Sequence, residues 1–416
     1  MKYQSASKEV QKNIKMKTVI LIGDGMGDYP CPELNDQTPL QAADMPYTRR
    51  IAAAGNIVSL QTVVDELEPG SDVANMGLLG YNPREQYTGR APIEAAGAHI
   101  ELGEHDVAFR CNLVTVENDV MQDHSSGHIT TEEGHTLIKE IGVKLGGEKK
   151  VFHPGVSYRH ILVWENGPES AVTTAPHDIL EEPVKDYLPK GTGAEGVADL
   201  MQQSQALLAN HPVNIQRKKD GKNEASQIWL WGQGRALTLQ PYQERYGITG
   251  GIVTAVDLIK GLGILAGLET PEVEGATGFT DTNYAGKVEA GLKILAEHDF
   301  AYIHIEAPDE CGHLGDAIQK TKACSDFDQL VVGPVWEAME ARGEPYQILV
   351  TMDHRTPCRL RKHSREPVPM AVLTGPVGLE NATEEVLFDE TCVDEMDCYS
   401  FDYIHDLLSQ YKTKAT

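Results

Sequence analysis

"VILIGDGMGDYP", Val19 to Pro30, sets an apolar run against a glycine-rich turn. Val19-Ile20-Leu21-Ile22 reads as a buried strand, and Gly23-Asp24-Gly25-Met26-Gly27 as the bend that follows it. A dinucleotide-binding turn has the form G-x-G-x-x-G and opens a helix. Here position 28 is Asp, and Tyr29-Pro30 follow at once, where proline does not suit a helix interior. The turn is better explained as a sharp bend that presents the Asp24 carboxylate, its glycines supplying the freedom to turn.

Two later stretches repeat the pattern. "YIHIEAP" runs into Asp309, with His313 four residues on in "DECGH"; "ILVTM" runs into Asp353 and His354, with His363 following in "RKHS". In doubly wound sheets, sites form where parallel strands end at their carboxyl edge. An Asp after a strand is most often a turn or capping residue, and a single D-x-x-x-H means little. Three strand ends carrying Asp and His together are harder to dismiss. The mixed oxygen and nitrogen donors suit Mn²⁺ or Zn²⁺ better than an all-oxygen Mg²⁺ site. Two ions a few ångströms apart would form a phosphoryl-transfer arrangement.

"EPGSDVANMGLLGY", Glu68 to Tyr81, places Gly70-Ser71-Asp72 before a helical run. By frequency Ser71 or Asp72 is an N-cap. The same geometry puts the Ser71 hydroxyl in the positive end of a helix dipole, where, beside a metal, it can attack phosphorus. Both readings stand on the sequence.

Strand-like and helix-like runs alternate along the 416 residues, which predicts an α/β fold with a mostly parallel sheet and crossover helices. Helices are expected over Pro46–Gly55, from Thr130–Thr131, over "EGVADLMQQSQALLANH" and through "AIQKTKACSDFDQLVVGPVWEAMEA"; strands are expected over Val107–Val116, "YRHILVW" and "SQIWLWGQG". The middle is richer in loops and polar turns. Residues 104–235 are expected to form an inserted α+β cap, and residues 1–103 and 236–416 the core. "RKKDGKN", Arg217 to Asn223, reads as an exposed loop.

The formal charge of −26 argues against nucleic-acid or anionic-membrane partners, which need a basic face. The seven cysteines are scattered without a C-x-x-C pair, as expected of reduced thiols in a cytoplasmic protein. No apolar run is long enough to span a bilayer. "MKYQSASKEVQKNIKMK" has no apolar core, so a frayed extension is expected there, not a signal peptide. Composition does not set the oligomeric state.

"GDGMGDYP", "TPLQAAD", "PGSDVANMGLLGY", "YTGRAPIEA", "DVAFRCNLVT", "DECGHLGD", "DHRTP" and "HSREPVP" follow in order from about Lys17 to Pro369. Together they resemble the cofactor-independent phosphoglycerate mutases of the archaeal type, in the alkaline phosphatase superfamily. The resemblance implies an alkaline-phosphatase-like core with a mostly parallel sheet flanked by helices, plus the cap. It implies two divalent ions: Mn²⁺ foremost, with Mg²⁺, Zn²⁺ or Co²⁺ as alternatives. Asp24, Ser71, Asp353 and His354 would bind one, and Asp309, His313 and His363 the other. Ser71 would be the nucleophile and become a phosphoserine, while the cap holds glycerate and excludes water. The substrate would be a small phosphorylated metabolite.

Candidates for substrate contact are Arg90 in "TGRAP", Arg110 in "FRCN", Asp123-His124, Arg159-His160, His177-Asp178 and Lys287. Each has an equally ordinary use as a structural, turn or solvated residue. "IWLWGQG" and "HIEAPDECGH" depart from the archaeal pattern towards bacterial relatives proposed as homoserine kinases. A homoserine phosphotransferase is therefore the alternative, with a plain phosphatase third.

Overall fold

The computed structural model describes residues 16–393 and 396–413; most of the expected N-terminal extension lies outside them. Twelve strands occur among the described residues: β1 (Lys17–Gly23), β2 (Asn56–Gln61), β3 (Asp106–Glu117), β4 (Val120–Asp123), β5 (Lys150–His153), β6 (Arg159–Glu165), β7 (Gln227–Arg235), β8 (Gly250–Val253), β9 (Phe300–Ile305), β10 (Tyr346–Thr351), β11 (Val368–Gly375) and β12 (Cys398–Ser400). The chain divides into two compact units. One comprises Met1–Asn82, Gln240–Val256 and Gly267–Thr416, and the other Pro83–Leu239 and Asp257–Ala266.

The first unit is built on a seven-stranded sheet in the order β12-β2-β11-β10-β1-β9-β8. β1 runs parallel to both β10 and β9, and β8 runs parallel to β9. Val19 to Ile22, the whole of β9 and most of β10 are buried, which is why they read as near-continuous apolar runs. β11 is the exception, antiparallel to both β10 and β2. The carboxyl ends of β10, β1 and β9 lie side by side, so the residues after them converge.

The long helix expected between β9 and β10 is interrupted. Ala317–Phe327 is α-helical, Asp328–Val332 is a π-helical turn, and Gly333–Arg342 is α-helical again. The interruption serves the helix Pro46–Ala54, whose N-cap Met45 makes no side-chain capping bond. Asp328 caps it instead, accepting from the Tyr47 amide at 2.9 Å, the Thr48 amide at 2.7 Å and the Thr48 hydroxyl at 2.5 Å. Gly333 lets the two helices close, since a β-carbon there would stand 2.6 Å from the Tyr47 ring.

Burial pushes the Asp328 carboxyl up to about 6, against the pull of its three donors. A folded-state pKa above the unfolded one stabilises the fold at low pH, and this contribution is lost as pH rises through about 6. Relative to Asp328→Asn, the wild type should therefore gain about 1 kcal/mol between pH 7 and pH 5. Urea unfolding of both proteins at the two pH values measures it; a constant difference would contradict the shift.

The second unit holds a five-stranded antiparallel sheet centred on β3, which pairs with β4, β6 and β7. Its core joins Phe109, Leu113, Leu162, Trp229 and Leu230 to Leu137 and Ile141 of the helix Thr131–Leu145 and to Val197 and Met201 of the helix Ala194–Leu208. The unit begins before the boundary expected at residue 104. The helices Arg90–Gly97 and Asp257–Leu265 belong to it, their backbones in contact. A β-carbon on Gly97 would meet the Asp257 carbonyl at 2.1 Å, and one on Gly261 the Ile93 carbonyl at 1.9 Å.

The loop expected at Arg217 to Asn223 begins later, since the helix Pro212–Lys219 takes its first three residues, while Lys218 to Lys222 are exposed. Arg217 is buried inside the helix Pro212–Lys219 and donates to Glu133 at 2.6 Å and to the carbonyls of Ser126 and Asn223. All seven cysteines are free thiols. Among the described residues, no helix is long and apolar enough to cross a membrane.

Candidate metal centre

Two groups of ligand-type side chains meet at the converging strand ends of the first unit. Asp24, Asp353 and His354 form one; Asp309, His313 and His363 form the other. Within each, the ligand atoms lie within 4.8 Å of one another. Asp24 follows β1 directly, and Asp353 and His354 follow β10. Asp309 and His313 lie one turn apart on the helix Ala307–Leu314 that leaves β9. His354 and His363 connect the groups, their ring centres 4.0 Å apart.

The glycines of the opening stretch now have a specific task. Gly25 has φ +61°, and a β-carbon on it would lie 2.5 Å from both Asp309 Oδ1 and Thr356 Oγ1. Its amide donates to Asp353 Oδ1 at 3.1 Å. The turn therefore brings backbone into the gap between the two groups as well as presenting Asp24.

Ser71 is the first residue of the helix Ser71–Leu78. Gly70 occupies the N-cap with no side-chain capping bond, so the capping explanation of Ser71 falls away. Its Oγ lies 3.1 Å from His354 Nε2. Six expected ligand residues and the expected nucleophile thus stand together.

The donor set fits cations. Asp24 Oδ1 is buried without a hydrogen-bond partner. Burial, together with the carboxylates of Asp353 and Asp309, holds the Asp24 carboxyl well above its ordinary range, a crowding that a divalent ion would relieve. In the other group, His313 Nε2 and His363 Nε2 approach to 3.0 Å and lie 3.2 and 3.5 Å from the Asp309 carboxylate. Burial opposes a charge on His313, yet the neighbouring Asp309 raises its pKa to about 9. Burial lowers His354 to about 4, favouring the neutral imidazole. His313 Nδ1 faces the Arg361 carbonyl at 3.0 Å, and His363 Nδ1 faces that of Pro69 at 3.3 Å. A carbonyl only accepts, so each Nδ1 carries a proton, and a metal that displaced the second proton of His313 would find both Nε2 atoms as donors.

Sequence reasoning missed the residues behind these ligands. Asn75 donates to Asp353 Oδ2 and to the Ser71 carbonyl, both at 2.8 Å, and accepts from the Tyr302 hydroxyl. His304, two residues on along β9, lies 3.4 Å from Asp24 Oδ2 and 3.5 Å from Glu306 Oε1. The last residue of the opening turn proper, Asp28, pairs with the buried Lys320 at 2.9 Å. Alternation along "YIHIE" was the available signal, since it points polar Tyr302 and His304 the same way from a buried strand.

Within the second unit, Arg90 and Arg110 both pair with Glu94, and both guanidinium groups lie over the Trp231 ring, at 5.6 and 5.1 Å. Arg159, exposed, adds to the positive field that holds the Glu94 carboxyl below its usual range despite burial. His177 packs edge-on against Trp231 at 5.3 Å, and His124 lies 6.1 Å from His177. The adjoining Asp178 is exposed. The three arginines and Glu94 thus form one charged cluster beside Trp231.

Three other expected contacts have partners inside the protein. Asp123 anchors its own turn, accepting from Ser125, Gly127 and Asn223. His160 is buried, accepts from the Gly155 amide, and is lowered to about 3 by desolvation. Lys287 lies in the first unit, fully buried, with its ammonium 2.5 Å from Glu306. Lys287 is thus committed to an ion pair, which corrects the expectation that it faces a substrate, whereas Asp123, half-buried, is held in its turn and His160 keeps Nε2 without a hydrogen-bond partner.

A family model described as 2,3-bisphosphoglycerate-independent phosphoglycerate mutase matches residues 52–214. A probable 2,3-bisphosphoglycerate-independent phosphoglycerate mutase of Geobacter sulfurreducens is 48% identical over 88% of this chain and 92% of its own. The 2,3-bisphosphoglycerate-independent phosphoglycerate mutase of Methanosarcina barkeri is 47% identical over 86% and 90%. Among solved structures, the PH0037 protein of Pyrococcus horikoshii aligns with a TM-score of 0.76 at 26% identity, covering 97% of this chain and 99% of that one. With nearly half of all positions shared along almost the whole of both chains, the protein belongs to the 2,3-bisphosphoglycerate-independent phosphoglycerate mutase family.

Proposed function

We infer that the protein interconverts 3-phosphoglycerate and 2-phosphoglycerate, without 2,3-bisphosphoglycerate, through a phosphoserine at Ser71. The observation that carries this reading is the Ser71 hydroxyl, 3.1 Å from His354 Nε2 at the meeting of two ligand groups, in a chain of the mutase family. Asp24, Asp353 and His354, with Ser71, would hold one divalent ion, and Asp309, His313 and His363 the other; the mixed N/O donors suit Mn²⁺. Bound there, the ions would supply Lewis-acid polarisation of the phosphoryl oxygens and lower the pKa of the serine hydroxyl.

The rest falls to the chain's own groups. Ser71 Oγ forms the new bond to phosphorus as the bond from phosphorus to the substrate oxygen breaks, and glycerate leaves with that oxygen protonated. In the return half, the other glycerate hydroxyl attacks phosphoserine and Ser71 regains its proton. Ser71 heads an eight-residue helix whose first amides lack helical acceptors, a setting that suits the phosphoryl oxygens. Asn75 ties the Ser71 carbonyl to Asp353 and so fixes the nucleophile relative to its ligands. Arg90, Arg110 and Arg159 suit a small phosphorylated acid through charge-assisted bonds. Water must be kept from the phosphoserine, or phosphate is released.

Metal-loaded protein given 3-phosphoglycerate alone should form 2-phosphoglycerate. Free phosphate as the main product, or product only from homoserine with a phosphoryl donor, would overturn the assignment.

A further inference from the structure

We propose that Thr356 is a positioning residue that selects the metal-binding tautomer of His354 and ties the two ligand groups together. The inference deepens the metal-dependent reading above and rests on it. Thr356 is fully buried three residues after Asp353. Its hydroxyl donates to Asp309 Oδ1 and lies 3.2 Å from His354 Nδ1.

The other two histidines of the centre have backbone carbonyls at Nδ1, which fix the proton there unaided. A hydroxyl does not, because it can donate or accept. Asp309 removes the ambiguity. An ionised carboxylate only accepts, so the Thr356 proton goes to Asp309 and the Thr356 oxygen is left to accept from His354 Nδ1–H. His354 Nε2 then carries a lone pair, facing Ser71 Oγ at 3.1 Å and Asp353 Oδ2 at 3.4 Å. Turned the other way, the ring would carry a proton on Nε2, bond the nearby carboxylates and be lost as a ligand. The total charge is the same in both arrangements; only the site of the proton differs.

Packing shows that the position is built for this contact. A β-carbon on Gly25 would lie 2.5 Å from Thr356 Oγ1, and one on Gly312 would lie 2.9 Å from the Thr356 methyl group. The loop after β1 and the helix after β9 both come against this side chain through glycine. The Thr356 amide donates to the Gly27 carbonyl at 3.1 Å, and its carbonyl accepts from Lys320 at 2.8 Å. One hydroxyl therefore serves Asp309 of one group and His354 of the other, held by backbone from the neighbouring strand ends.

Thr356→Val keeps the shape and removes the hydroxyl, whereas Thr356→Ser keeps the hydroxyl. In metal-free protein labelled with ¹⁵N-histidine, wild type and Thr356→Ser should show the His354 proton on Nδ1, and Thr356→Val should show it moved to or shared with Nε2. By equilibrium dialysis, Thr356→Val should bind Mn²⁺ about 10- to 100-fold more weakly, with Thr356→Ser within a few-fold of wild type. A Thr356→Val protein with the proton still on Nδ1, or with wild-type Mn²⁺ affinity, overturns the proposal. So does a Thr356→Ser protein as weak as the valine variant. Failure of the wild type itself to bind Mn²⁺ would overturn the metal reading, while the tautomer spectrum separately reports on Thr356.

Discussion

Ser71→Ala should lose mutase turnover by at least about 10³-fold while keeping its fold and its metal. Serine here contributes the nucleophile and, through the same oxygen, one of the four ligands proposed for the first ion. The N-cap is Gly70, and the Ser71 side chain makes no capping bond, so alanine costs the helix nothing by that route. The expected change in unfolding free energy is within about 0.5 kcal/mol, as for a substitution away from caps and core contacts. Six side chains remain to hold cations in the two groups, so metal stoichiometry should persist. What disappears is the oxygen that accepts the phosphoryl group, and with it any ³²P label trapped on the protein after brief exposure to labelled 3-phosphoglycerate. Near-normal turnover in the alanine variant would remove the phosphoserine from the mechanism; a large loss of stability would mean that Ser71 acts structurally.

What the sequence disclosed is confined to what strand ends can disclose. Asp24, Asp309 and Asp353 each follow an apolar run, and a parallel sheet must bring such ends to one edge, so local pattern and global topology agree. His313 and His354 were legible because each stands close to an acid at a strand end, Asp309 and Asp353. The supporting layer was not. Thr356, Asn75 and Tyr302 are ordinary polar residues whose roles come from partners 47, 278 and 227 positions away. Asp328 looks like any helical acid until its distant partner, the uncapped helix Pro46–Ala54, is in view. The same holds for the unit boundary, where Gly97 and Gly261 allow a backbone contact that composition does not announce. β11 is a nearly continuous buried run like its neighbours, and its reversed direction is a property of pairing alone.

Lys287→Met should destabilise the first unit by about 3–5 kcal/mol, the cost of leaving one member of a buried ion pair alone. Lys287, on the helix Tyr284–Glu297, and Glu306, just past β9, are both almost wholly removed from solvent, with 2.5 Å between charged atoms. Burial alone would raise the Glu306 carboxyl, but His304 and Lys287 hold it down at about 2. The carboxylate also accepts from the Thr254 hydroxyl at 2.8 Å and the Ala255 amide at 2.7 Å. Methionine fills the volume of the lysine and removes its charge, so the carboxylate is left with His304, Thr254 and Ala255. Adding Glu306→Gln to the same chain should restore much of the loss, because the amide oxygen still accepts from Thr254 and Ala255 and no charge remains to be desolvated. Urea unfolding of the two variants measures both effects. Had Lys287 been a phosphate ligand, as its sequence context allowed, its replacement would raise KM and leave stability alone. That outcome, or a double variant no more stable than the single one, would contradict the ion pair. The pair lies behind the candidate ligand groups: Glu306 lies against His304, and His304 against Asp24. The lysine charge therefore helps keep the Glu306 carboxylate ionised.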